Sequence, residues 1–188
     1  MKTIAPLTFL LFLFLLYSCD DGDMIVTDFN FDSDSELHFC DNASDKVLFV
    51  INVDPSEAIA INFNDEDFDG TFDEKEDQQV LVIPINASNQ LVYRTFDSQV
   101  GKDYFCSGIP ATEPQTKSEY RSKNGGNLYL TTTVIEEHTD SLSQITTKTF
   151  ETFAEVRDVT LKNTQKDEEI VRERIQLGSF IKEEALNP

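Results

Sequence analysis

Tryptophan is missing from this 188-residue chain, histidine occurs twice, cysteine three times, and 15 Lys+Arg face 35 Asp+Glu, for a formal net charge of −20. Each shortage excludes something. Without tryptophan, one favoured flat platform for stacking sugars is gone. Two histidines, His38 and His138, are too few for His-rich zinc chemistry. The scarcity of cations argues against nucleic acid, whose binding depends on neutralising phosphates with Lys and Arg. It also opposes docking on anionic lipid headgroups through protein charge. No Gly-x-Ser-x-Gly, P-loop or dinucleotide fingerprint occurs, so the common motif-bearing enzyme classes lack their signatures. What is present in quantity is phenylalanine, 15 residues of it, enough apolar material for a packed core in one medium domain or two small ones.

A long apolar run is also lacking. The strongest one, Leu7 to Leu16, follows Met1-Lys2 and ends at Tyr17-Ser18-Cys19 and the acidic Asp20-Asp21-Gly22-Asp23. A membrane-spanning helix needs roughly 20 apolar residues, and this run is about half that. A positive start, a short apolar stretch and a small residue at the cut site read as a secretory signal, with a transmembrane anchor as the alternative. The ending Leu16-Tyr17-Ser18-Cys19 resembles a bacterial lipobox. That resemblance implies removal of residues 1–18, acylation of Cys19, and a tether over 19–24. Each buried methylene of an acyl chain adds about 0.8 kcal/mol of membrane affinity. Losing residues 1–18 removes Lys2 and no acid, which makes the mature chain one charge more negative.

The acids behind Cys19 resemble the export signal of surface lipoproteins in the Bacteroidota lineage. This implies an outer-membrane protein on the cell surface, with a periplasm-facing anchor, or simply a solvated tether, as the alternatives. As a whole the chain resembles uncharacterised small lipoproteins of that type, a resemblance that carries no activity with it. Once Cys19 is acylated, Cys40 and Cys106 remain. Outside the cytoplasm such a pair is expected as a disulfide, two buried thiols being the alternative.

The body reads as strand almost throughout. Lys46 to Val53 is a continuous apolar, β-branched run, suited to burial on both faces. Ile59, Ile61 and Phe63 alternate. Gln79 to Ile85 carries a proline that places it at an edge or a strand end. Gln90 to Phe96 and Asn127 to Ile135 follow. Ser143 to Val156 holds neither alternation phase and therefore predicts a bulge. Glu169 to Phe180 reads as a strand on the strength of Gly178 and the turn-rich Lys162-Asn163-Thr164. His38, among Leu37, Phe39 and Cys40, is expected on a strand. Short strands spaced by turns predict an all-β fold, an antiparallel β-sandwich, as one domain over 25–182 with a frayed 183–188. A division into two small domains at Gly125-Gly126 is the alternative. Lys102-Asp103-Tyr104-Phe105-Cys106 resembles the corner of immunoglobulin-like domains, where a Tyr stands two residues before the second Cys.

The sharpest local motif for chemistry runs from Asp65 to Glu76. Asp65, Asp67 and Asp69, the Thr71 carbonyl, Asp73 and Glu76 match a calcium loop, with Gly70 at its turn. Its flanks read as strands, so a solvated acidic hairpin loop competes with a structural Ca²⁺ site. A Ser141–His138–Asp140 triad would place three neighbours on one loop, without the preorganisation catalysis requires. Asp140-Ser141-Leu142 resembles the O-glycosylation signal of exported Bacteroidota proteins, with Ser141 as acceptor; an ordinary loop tip is the alternative. Asn42-Ala43-Ser44 and Asn86-Ala87-Ser88 match the N-glycosylation sequon, which is empty in a bacterial lipoprotein. The expectation is a lipid-anchored, non-catalytic protein that binds an unknown protein or glycan partner or serves the envelope structurally. A calcium-dependent binding module and an envelope hydrolase are the competing classes.

Overall fold

The computed structural model describes residues 36–42, 45–52, 56–63, 79–107, 112–141 and 145–186. The expected leader and tether, Cys19, and the calcium candidate Asp65–Glu76 lie outside the described residues. Among the described residues nine strands and one helical turn follow in order. They are β1 (Leu37–Asn42), β2 (Asp45–Asn52), β3 (Glu57–Phe63), β4 (Gln79–Pro84), β5 (Gln90–Phe96), α1 (Asp103–Cys106), β6 (Thr116–Ser122), β7 (Asn127–Thr139), β8 (Thr146–Asn163) and β9 (Glu169–Leu186). The fold is all-β and its strand pairs are antiparallel. The expected sandwich takes the form of one open sheet, in the order β1-β2-β3-β5-β6-β8-β7-β4, with β9 on β8.

β8 explains how one sheet encloses a core. Along one edge it pairs with β9 from Thr146 to Lys162. Along the other it pairs with β7 up to Arg157 and with β6 from Leu161. Asp158, at φ 56°, sits where the partner changes. There the β6–β7 connection presses against β8. A Cβ on Gly126, itself at φ 86°, would stand 2.7 Å from the Arg157 carbonyl oxygen. Only glycine accepts both that approach and that backbone.

The two arms share one apolar cluster. Leu48, Val50, Ile59, Ile61, Leu91 and Tyr93 from β2, β3 and β5 meet Leu128, Leu130, Ala154, Val156, Ile175 and Leu177 from β7, β8 and β9. Each fully buried aliphatic or phenyl side chain stabilises by about 1.5–3 kcal/mol. β2 is buried on both faces, as its continuous apolar run predicts: Leu48 and Val50 enter that cluster, while Val47 and Phe49 enter a second one with Cys40 and Ala60. The segment carrying α1 covers this second face through Phe105 and Cys106.

Three expectations need correction. The tail is not frayed through Leu186, because residues 183–186 pair with 146–149 in β8. The irregularity expected within β8 falls on its neighbours: Ile135 is the extra residue in β7 and Leu177 the extra residue in β9. The alternation of β8 fails for another reason as well. Glu155 points away from the core yet is buried, covered by ion pairs with Arg157 and Arg174. Finally, Tyr104 and Cys106 lie on α1 rather than on a strand, so the likeness to an immunoglobulin corner ends with the local sequence.

Candidate functional site

The open sheet leaves a seam. A single parallel bridge, Glu36 to Ser179, joins the start of β1 to β9. Beyond the bridge the two strands border a cleft of about 660 Å³. Residues 36–39 and residues 179–182 line it, together with Lys102 and Cys106. The lining carries two chemistries. Leu37 belongs to the main core, and Phe39 and Phe180 lie against it, their rings stacked at 6.4 Å and 16°. Ile181 stands 65% exposed. Against this apolar lining are set Glu36, His38, Ser179, Lys102 and Lys182.

The polar side is organised around Glu36. Its Oε1 accepts a hydrogen bond from Lys102 Nζ at 3.1 Å and lies 3.4 Å from His38 Nδ1. The Lys102 hydrogen bond, then the charge of His38, hold the Glu36 carboxyl below its usual range. The His38 ring packs on Phe49 at 5.2 Å. Burial there disfavours its charged form, the Lys102 ammonium adds to the effect, and Glu36 opposes it, so His38 titrates below its ordinary 6.5. The unfolded chain therefore takes up this proton at higher pH than the folded one. Stability should fall as pH drops through 6.5 and level off only below the depressed folded value. We expect the urea midpoint to drop between about pH 7.5 and about pH 5.5, and His38→Gln to flatten that drop. An identical drop in both chains would remove His38 as its cause.

The sequence-predicted residues are distributed unevenly. His38 is a strand residue, as expected, and also part of the cleft. Cys40 and Cys106 form the disulfide, with Cα atoms 5.4 Å apart, and Cys106 brings that bond to the cleft. His138, Asp140 and Ser141 are all exposed at the end of the β7–β8 hairpin. The Asp140 backbone N–H donates to the Ile145 carbonyl at 2.9 Å. Exposure of this kind suits a modified Ser141 better than a catalytic triad, which needs a fixed and partly dry setting. Asn86 is tied into a turn, its Oδ1 accepting the N–H groups of Ser88 and Asn89 at 2.7 and 3.0 Å. Among the described residues no group of three or more His, Cys, Asp or Glu is placed to hold a metal ion; the calcium candidate Asp65–Glu76 lies outside them.

Two buried carboxylates belong to the framework. Glu57 accepts from Tyr93 Oη at 2.5 Å and from Asn52 Nδ2 at 3.3 Å. Burial, then that hydrogen bond and the adjacent carboxylate charge, push the Tyr93 phenol up. Glu155 is held by its two arginines, and Arg157 lies over the Tyr129 ring at 4.3 Å. Glu36, Phe180 and Lys182 carry no motif, and Lys102 entered the sequence reading only through the run that ends at Cys106. The Glu36–Ser179 bridge and the position of α1 against β1 bring them together.

Compared with known proteins, the chain matches no family model, no curated protein and no solved structure.

Proposed function

We propose that this chain is a lipid-anchored, non-catalytic binding protein of the bacterial outer membrane, engaging a protein or glycan partner through the β1–β9 cleft. The observation that carries this reading is the cleft itself, which combines an apolar lining with a few convergent polar groups, the usual make-up of a ligand site. The Leu7-to-Cys19 leader and the acidic residues behind it support the anchor. The Cys40–Cys106 bond fits an oxidising compartment.

One experiment in cells tests both halves. A photo-crosslinking residue replaces Ile181 in the cleft, or Val171, exposed elsewhere on β9. The chain should fractionate with the outer membrane and show acyl mass on Cys19. It should form covalent adducts from position 181 and none from position 171, and Cys19→Ala should abolish both membrane association and adducts. Recovery of an unmodified Cys19 from the soluble fraction would end the anchor reading. Equal adducts from both positions would end the cleft reading.

A further inference from the structure

Among the described residues β1, β4 and β9 each have an open edge, and they differ in how that edge is defended. β9 carries Arg172, Glu173, Arg174, Lys182 and Glu183, and β1 carries His38 and Asp41. β4, Gln-Val-Leu-Val-Ile-Pro, has no charged residue. Among the described residues it pairs with β7 alone, and that ladder shows no register shift. Its proline stands at the last position, where it leaves the edge ahead of it unblocked. Leu81 and Ile83 turn toward the core, while Val80 and Val82 face outward, 59% and 47% exposed. Sheets normally blunt an edge with charge, a bulge or an interior proline, because an undefended edge is a template for another strand.

From this we propose that the β4 edge is the contact between two copies of this chain, joined antiparallel across a two-fold axis. The edge complements itself. An axis beside Leu81 sets Val80 of one copy against Val82 of the other, so the outward valines cover each other, and cross-strand β-branched pairs are favourable. A contact of this kind uses the same patch on both copies, as two-fold symmetry requires. Charge within the ladder does not oppose this choice. In a chain of net −20, pairing through an uncharged strand brings no like charges face to face within the ladder. The remaining repulsion between the two bodies is long-range and is screened by salt. A partner selected by charge would find nothing to read on this edge. The proposal does not depend on the cleft or on the anchor.

Sedimentation equilibrium of the full chain in density-matched detergent, at low salt and at about 0.5 M salt, tests it together with hydrogen exchange. A concentration-dependent step from one copy of 21.4 kDa to two is expected, favoured by salt and accompanied by slowed exchange at Val80–Ile83. Val82→Lys should weaken the step at least about tenfold. A one-copy mass at every concentration up to about 1 mM overturns the proposal. So does a folded Val82→Lys chain that dimerises as before, or a dimer whose slowed amides lie on β1 or β9. If β4 amides are protected equally in a one-copy species, the chain covers its own edge and the proposal is wrong. The exchange data on the unsubstituted chain decide the matter even if the variant misfolds.

Discussion

Replacing Cys40 and Cys106 together by Ser lowers the unfolding free energy by about 4 kcal/mol, a large share of the roughly 5–15 kcal/mol a domain possesses. The bond spans 66 residues, and closing a loop of that length restricts the unfolded chain strongly in the chain-entropy account. The native side adds to the loss. α1 is four residues long, a single turn that does not persist alone in water. It stays in place because Cys106 is bonded to β1, because Phe105 stacks on Phe49 at 4.5 Å, and because Tyr104 meets Phe96 edge-on at 5.1 Å. Without the bond, the segment covering Val47, Phe49 and Ala60 is free to lift, and it takes Lys102 and Cys106 of the cleft lining with it. Denaturant titration measures the loss, and faster exchange at 103–107 locates it. The unsubstituted chain in reductant should match the double variant. A change below about 1 kcal/mol would show that the bond is incidental to the fold.

The same region shows where sequence periodicity informs and where it stops. β2 was legible because a run buried on both faces needs no alternation, and β7 because its alternation is regular over its first half. β6 was not, because only Tyr120 of its seven residues is buried. Its place in the sheet rests on pairing with β5 and β8 and on Arg94 and Arg121 sharing the Glu119 carboxylate at 2.7 and 2.6 Å. α1 is too short to show a helical period. The misplaced bulge has a related cause. Residues opposite β8 supply the irregularity, and Glu155 is hidden by arginines rather than by the core, so inspection of β8 alone gave the wrong strand. Cys40 and Cys106 could be paired on chemistry, since the expected acylation of Cys19 leaves only those two thiols. The cleft could not be anticipated. Alternation tells which residues of β1 and β9 face inward, but not that Glu36 and Ser179 become neighbours across the open seam.

Phe49→Ala should cost about 3–5 kcal/mol, the range for removing a buried ring, and its coupling to the disulfide should reveal how α1 is held. Phe49 is fully buried, with Ala60 beside it on β3 and His38 beside it on β1. The small Ala60 leaves the width that the ring occupies, and Phe105 caps it from α1. The cost of a cavity depends on how far the surroundings collapse into it. In the bonded chain α1 is pinned at Cys106, so the void persists and the cost lies near the upper end. With both cysteines replaced by serine, α1 is already loose, and the same substitution should cost about 1 kcal/mol less or lower still. A double-mutant cycle measures that difference. Phe49→Leu should restore most of the loss in the bonded chain. His38 gives an independent readout, because losing the ring readmits water to its imidazole and should move its titration back up toward 6.5. Strict additivity of the two losses, or a His38 titration that stays where it was, would mean that Phe49, the disulfide and α1 do not act as one packed unit behind the cleft.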